Sequence, residues 1–319
     1  MSTSILLTGA TGFVGQALTA KLLTQSFKVV VGLRKLSSIL PSELTQEVVG
    51  DILPVTDWSA ALKDINVVVH VAARAHILKD TVAVPIEEFR KVNADGTINL
   101  AKQAVGAGVS RFVFISSIGV NGNSNTYPFL EADIANPQEP YAISKYEAEL
   151  GLLELAENTG MEVVIIRPPL VYGPKAPGNF SNLLKWMKIG IPLPLGAIHN
   201  KRSLVALDNL VSFIMLCINH PKAANEVFLI SDGEDVSTSE LLRKVAKAFG
   251  QQSRLMPVPV ELMIFCAKLI SKGAVANRLF SSLQVDSSKA RDLLGWKPVV
   301  TMDEQLREVA DVYLNKARL

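Results

Sequence analysis

The stretch SILLTGATGFVGQAL, residues 4–18, decides the fold. It opens as a continuous apolar run and ends as the start of a helical pattern, with Gly9, Gly12 and Gly15 between the two. Glycine permits a tight turn and a close approach of backbone to a pyrophosphate, whose charge meets the positive end of the helix that follows. A glycine triplet alone carries little weight. Here it follows a strand, opens a helix and stands in the first βαβ unit, which is the context a dinucleotide site requires. The spacing is Gly-x-x-Gly-x-x-Gly, not the Gly-x-Gly-x-x-Gly of many dinucleotide sites. A glycine-rich turn with no ligand is the competing reading.

Outward from this stretch, short β-branched runs alternate with helical ones. Residues 4–9, 28–33, 66–72, 111–117 and 162–168 are continuous apolar strands, of the kind that fill a parallel sheet covered on both faces. Helical patterns at 12–26, 86–107 and 141–159 separate them. Such alternation predicts an α/β fold, a doubly wound parallel sheet of the Rossmann kind. After residue 168 the texture changes, because residues 169–200 are rich in Pro and Gly, which break regular structure. A helix over 204–218, a strand over 226–233 and helices at 237–250, 259–272 and 303–317 follow. The expected division is a dinucleotide-binding domain of residues 1–168 and 204–232, with a smaller interleaved lobe of 169–203 and 233–319.

Composition narrows the class. Hydrophobic residues make up 49% and charged residues 19%, so 319 residues can bury a substantial core in one large or two unequal domains. A net charge of +2 gives no nucleic-acid footprint. Cys217 and Cys266 lie far apart within apolar runs and read as buried thiols in a reducing compartment, with neither a disulfide nor a metal site implied. The N-terminus shows no basic region or cleavage site of a secretory signal. The most membrane-like stretch, 258–270, is too short to span a bilayer and carries Glu261 and Lys268. A cytoplasmic protein is expected.

A second stretch carries chemistry. In PYAISKYEAEL, residues 140–150, Tyr141 and Lys145 stand four apart, so a helix presents them on one face. A phenol titrates near 10 and is a poor acid–base group at neutral pH unless a neighbouring ammonium favours the phenolate. The plain alternative is a tyrosine on an apolar face and a solvated lysine. Beside TGATGFVG the pair gains weight. Together they make the chain resemble the extended short-chain dehydrogenase/reductase family, of NAD-dependent epimerase/dehydratase type, whose members act largely on nucleotide sugars. The likeness runs on through GDI (50–52), HVAA (70–73), VNADGTINL (92–100), RFVFISS (111–117), RPPLVYGP (167–174), RSLVALDNLV (202–211) and VDSSKARDLLGW (285–296). The pattern is similar to nucleotide-sugar 4-epimerases and to UDP-4-keto-sugar reductases of the N-acetylquinovosamine type.

The resemblance implies roles residue by residue. Tyr141 is the general acid–base, and Lys145 lowers its pKa and holds the nicotinamide ribose. A serine after the fifth strand bonds the substrate oxygen. ISSIGVNG offers two, and the family spacing, counted back from Gly122, selects Ser117 with Ser116 as the fallback. Asn121 stands where the family often has Tyr, which is expected to alter sugar contacts. The 4,6-dehydratase branch places Asp-Glu directly after this serine or threonine. Ile118 and Gly119 occupy those positions here and neither moves a proton, so dehydration is not expected. Cofactor contacts are implied for Gly9, Thr11, Gly12, Phe13, Val14, Gly15, Asp51, Ile52, Ala72, Ala73 and Pro168, besides Tyr141 and Lys145. For the sugar nucleotide the resemblance points to Ser117, Asn179, Arg202 and, from the C-terminal lobe, Arg278. A guanidinium forks onto phosphate oxygens, which suits Arg202 to clamp a pyrophosphate. Asn93 orients substrate or active-site backbone, or simply packs its helix. His70 packs at a strand end, while Arg74 and His76 occupy a loop able to face the sugar.

Cofactor choice bears on the reaction. At the end of the second strand a carboxylate usually bonds the adenosine ribose of NAD, and a basic residue takes the 2′-phosphate of NADP. VVVGLRKLSS supplies Arg34 and Lys35 and no acid, which favours NADP(H), with NAD(H) as the alternative. A reductase exchanges reduced cofactor, whereas an epimerase regenerates and usually retains NAD. Arg34 therefore tilts the expectation toward reduction of a UDP-4-keto-sugar for surface-polysaccharide synthesis. A UDP-sugar 4-epimerase of the UDP-glucose type is the alternative. A non-catalytic cofactor sensor would commonly lack the Tyr–Lys pair. The helices at 86–107 and 141–159 resemble those of a four-helix dimer interface, so a homodimer is expected.

Overall fold

The computed structural model describes residues 3–75, 84–178, 180–182, 184, 192–269 and 279–315. Six strands build most of the main sheet: β1 (Ser4–Thr8), β2 (Lys28–Leu33), β3 (Thr45–Val48), β4 (Val67–His70), β5 (Arg111–Ile115) and β6 (Glu162–Arg167). β7 (Leu170–Tyr172) and β8 (Arg202–Ala206) leave it, and β9 (Glu226–Leu229) returns to it. The seven strands lie in the order β3-β2-β1-β4-β5-β6-β9, every pairing parallel. All five residues of β1 are buried, as expected of a central strand covered on both faces. The chain reverses its winding between β1 and β4, and their carboxyl ends open the crevice where such sheets bind ligands.

One face of the sheet packs α1 (Phe13–Leu23) and α5 (Leu207–Asn219) over Ile5, Leu7, Val31 and Val69. The other packs α3 (Gly96–Gly106) and α4 (Pro140–Thr159) over Leu6, Val68, Phe112 and Phe114. α4 starts at Pro140, whose missing N–H costs nothing in the first turn, and stops at Gly160 with φ +73°. Cys217 is buried in α5; the side chain of Cys266 lies outside the described residues.

A smaller sheet, β10 (Asp235–Val236), β8 and β7, carries the second lobe. Helices α6 (Thr238–Ala248), α7 (Val260–Leu269) and α9 (Met302–Asn315) belong to it, and α8 (Ser288–Leu294) returns to the main sheet. Tyr172, Phe180, Leu242 and Leu306 form its core. Ser237 and Glu240 close a reciprocal capping box at the start of α6. Among the described residues no helix is long and apolar enough to cross a membrane.

The structure departs from the expected elements in several places. The helix anticipated over 86–107 is interrupted: α2 (Pro85–Phe89) passes through a π-helical turn (Arg90–Asp95) into α3. Asn93 in that turn is buried and bonds both the backbone of Arg74 and Ser144 of α4, a side-chain constraint of the sort that produces π-turns. The apolar run 204–218 is half a strand, since β8 occupies 202–206 before α5 begins; a short apolar run does not distinguish the two states. β3 reads TQEV, a polar edge strand with no hydrophobic signal.

Candidate active site

The glycine loop is built to be thin. Gly9 has φ +76°, and the amide of Gly12 donates to its carbonyl at 2.9 Å. A Cβ on Gly9 would lie 2.7 Å from the amide nitrogen of Ala72, and one on Gly15 only 2.0 Å from the Gly9 oxygen. β1, the start of α1 and the 71–73 segment therefore meet backbone to backbone. α1 begins at Gly12 with no side-chain cap and no acidic residue in its first turn, so its leading amides lack a partner from those sources. Thr11 and Gly12 are exposed, Phe13 and Val14 half-buried, and Gln16 ties the loop by donating to the Thr11 carbonyl at 2.8 Å. An open, uncapped helix start behind a glycine cradle fits a dinucleotide pyrophosphate.

Tyr141 and Lys145 occupy the first turns of α4, across the sheet from that loop. The Tyr141 ring meets Phe89 edge-on at 6.2 Å. Lys145 is 1% exposed and its Nζ sits 4.2 Å above the Phe114 ring. A Cβ on Gly119 would lie 3.2 Å from Cβ of Ala142 and 3.3 Å from Oγ of Ser117, so the Ser117 turn abuts the helix start that bears Tyr141. Ser117 is half-buried, its Oγ accepting the Gly119 amide at 3.1 Å. Ser116, the fallback, is buried, and its hydroxyl has no hydrogen-bond partner among the described residues.

Protonation in this site runs against the expectation from the spacing. Burial pushes the Tyr141 phenol up to about 12 rather than down. Burial also pulls Lys145 down to about 7, partly opposed by the nearby carboxylate of Glu149. The reason is desolvation, which penalises phenolate and ammonium alike. His70 is pulled down to about 3, first by burial and then by the charge of Lys145, and its ring nitrogens face Thr8 and Thr97 at 2.8 and 3.0 Å. It is a neutral packing histidine, as expected.

The model of the NAD dependent epimerase/dehydratase family matches residues 5–231. The chain belongs to this family. It is 47% identical over 317 residues to a UDP-glucose 4-epimerase of Vibrio cholerae, with 98% of this chain and 96% of that one covered. Among solved structures, the UDP-glucose 4-epimerase of Thermotoga maritima with UDP-glucose superposes with a TM-score of 0.77 at 25% identity, covering 99% and 100% of the two chains. The UDP-glucuronic acid 4-epimerase of Bacillus cereus in complex with NAD superposes at 0.80 and 24% identity, covering 99% and 98%, which speaks for the fold. This is an enzyme of the extended short-chain dehydrogenase/reductase type. The relatives favour 4-epimerisation over the keto-sugar reduction expected from Arg34.

The remaining residues suggested by the family pattern are spread over the molecule. Ala72 and Ala73 flank the glycine loop, the Ala72 amide 3.3 Å from Thr8 Oγ1. Pro168 is buried and its carbonyl accepts the Ile118 amide at 3.0 Å, so it shapes the serine turn. Arg34, just after β2, and Asp51 are both largely exposed, with Nη1 3.8 Å from Oδ1; Ile52 packs against the start of α3. Arg202 is half-buried, its Nη1 donating to the Ser281 carbonyl at 3.2 Å. Asn179, Arg278 and His76 lie outside the described residues. Arg74 sets its guanidinium over Phe89 at 5.6 Å, next to Tyr141.

Asn121, which stands where the family often has Tyr, has an inward role. It is 2% exposed and turned inward, accepting from Arg167 Nη1 at 2.9 Å and donating to the Leu130 carbonyl at 3.1 Å. A small amide there satisfies a buried guanidinium. The sequence reading missed that guanidinium and its carboxylate, Glu149. Only the i, i+4 step from Lys145 to Glu149 signalled them.

Proposed function

We propose that the enzyme is a UDP-sugar 4-epimerase of the UDP-glucose 4-epimerase kind, with Ser117, Tyr141 and Lys145 as its catalytic residues. The observation that carries this reading is the near full-length 47% identity to the Vibrio cholerae UDP-glucose 4-epimerase. A nicotinamide dinucleotide bound along Gly9, Gly12 and Gly15 supplies hydride acceptance and return at C4 of the sugar. Tyr141 accepts the C4 hydroxyl proton and later gives it back, while Ser117 holds the same oxygen by a hydrogen bond. Lys145, one turn along the same helix face, is the cation that favours the phenolate against the burial that pushes Tyr141 up to about 12. Residues 1–168 and 204–232 hold the dinucleotide in this reading. The lobe of 169–203 and 233–319 holds the sugar nucleotide, with Arg202 at the pyrophosphate and Asn179 and Arg278 completing it. The helices bearing Tyr141 and Asn93 form the contact of a proposed homodimer.

A second reading, reduction of a UDP-4-keto-sugar with exchangeable NADPH, keeps one observation in its favour. Arg34 stands exposed at the end of β2, where a 2′-phosphate would lie, although Asp51 faces it and suits the ribose hydroxyls of NAD equally. Identifying the dinucleotide released on denaturation, and incubating the protein with UDP-glucose and UDP-galactose, separates the two. Interconversion with no net change at 340 nm is the expected result. Stoichiometric NADPH consumption on a UDP-4-keto-sugar, with no interconversion, would overturn the epimerase reading.

A further inference from the structure

Below the Tyr–Lys pair lies a polar cluster buried too deeply to be decoration. Arg167, at the end of β6, grips Glu149 of α4 with Nε 3.0 Å from Oε1 and Nη2 2.5 Å from Oε2. Its remaining arm, Nη1, donates to Asn121, the residue that closes the turn begun by Ser117. The side chains of Arg167 and Glu149 are 7% and 1% exposed. Burying an ion pair this completely contributes little net stability, because desolvation cancels most of the attraction. Its position suggests another use. Glu149 lies four residues beyond Lys145 on the same helix face, its carboxylate held in a dry setting by the bidentate guanidinium.

We infer that Glu149, held by Arg167, is a positioning residue that keeps Lys145 protonated, and that Asn121 registers the Ser117 turn against the same grip. The surroundings of Lys145 explain why help is needed. From β5 it has the face of Phe114, from β4 the neutral imidazole of His70, and from its own helix the phenol of Tyr141. Arg167 adds a second cation nearby on β6. Among the described residues, the charge that favours the ammonium is that of Glu149. The neutral amine would lose both its cationic influence on Tyr141 and one donor toward a ribose. This inference rests on the Tyr–Lys reading proposed above.

The test is a lysine 13Cε NMR titration of the full chain, with Lys145 assigned by its loss in Lys145→Met, alongside the pH profile of kcat/KM. In Glu149→Gln the Lys145 midpoint drops by about one unit or more, which makes the neutral amine about tenfold more abundant below the midpoint. The alkaline limb of kcat/KM, where the cation is lost, moves to lower pH by the same amount. Glu149→Asp, which keeps the charge, holds the midpoint near that of the parent chain. Should Glu149→Gln fail to fold because it orphans Arg167, the paired Glu149→Gln, Arg167→Gln chain is read against Arg167→Gln alone, so that only the loss of the carboxylate is compared. An unmoved midpoint in whichever of these chains folds would overturn the inference. Because the NMR midpoint needs no turnover, a parent chain that epimerises nothing, with the midpoint still shifted in Glu149→Gln, would refute the proposed function and leave the link between Glu149 and Lys145 standing.

Discussion

Gly15→Ala tests the dinucleotide cradle most severely. The added methyl would lie 2.0 Å from the Gly9 oxygen, 2.7 Å from its carbonyl carbon and 2.8 Å from Cα of Ala10. All three are backbone atoms, so no rotamer change relieves the clash. Reaching ordinary contact near 3.4 Å requires the start of α1 to retreat by roughly 1.4 Å. That retreat breaks the bonds anchoring the turn, Gly12 to Gly9 and Gln16 to Thr11. Overpacking against an unyielding neighbour costs about 3 kcal/mol, the upper end of the usual range, which should lower Tm by about 5 °C or more. The displaced helix amides should also weaken dinucleotide binding at least tenfold, or about 1.4 kcal/mol. Gly12→Ala is the comparison: its methyl would lie 3.2 Å from the Gly9 oxygen at an exposed position, so a much smaller fall in Tm is expected. Calorimetry and dinucleotide titration on both variants decide. A Gly15→Ala chain that melts with the parent and binds dinucleotide as tightly would refute the cradle geometry.

Three further outcomes are expected. Tyr141→Phe keeps the edge contact with Phe89 and loses only the hydroxyl, so kcat should fall by about 10²–10⁴ with Tm almost unmoved; a loss under tenfold would remove Tyr141 from the chemistry. Arg111→Met strips the guanidinium that donates to the Cys217, Ile218 and His220 carbonyls and pairs with Glu162, which should destabilise the chain by about 3 kcal/mol in urea titration. Lys145 has a folded pKa of about 7, below its value of 10.5 when exposed, so the unfolded chain binds the extra proton between these limits. Stability should therefore rise with pH across that window, and Lys145→Met should stabilise the chain by a few kcal/mol below pH 7 and by nothing above 10.5. A variant with the parent's pH dependence of Tm would contradict this.

Much of the fold could be read because the central strands are uninterrupted β-branched runs and glycine punctuates them where backbone must meet backbone. Ile5–Leu7, Val29–Val31 and Val163–Ile166 are strands by composition alone. β3 escaped because an edge strand needs only one covered face, and β8 because an apolar run hides the switch from strand to helix. In the candidate site, Tyr141 and Lys145 stood out once their spacing was read beside the glycine loop. Their protonation did not, because desolvation depends on burial that spacing does not encode. Nor did the inward turn of Asn121, which is set by a guanidinium 46 positions away on another strand.

Deuterium placed at C4 of UDP-galactose offers the most direct measurement, with mass spectrometry and NMR of the UDP-glucose that forms. If the hydrogen leaves C4 and returns to it within one closed site, the product carries the label at C4, and neither the medium nor free dinucleotide acquires any. Product lacking deuterium, or label accumulating in dissociated dinucleotide, would contradict epimerisation with a retained cofactor.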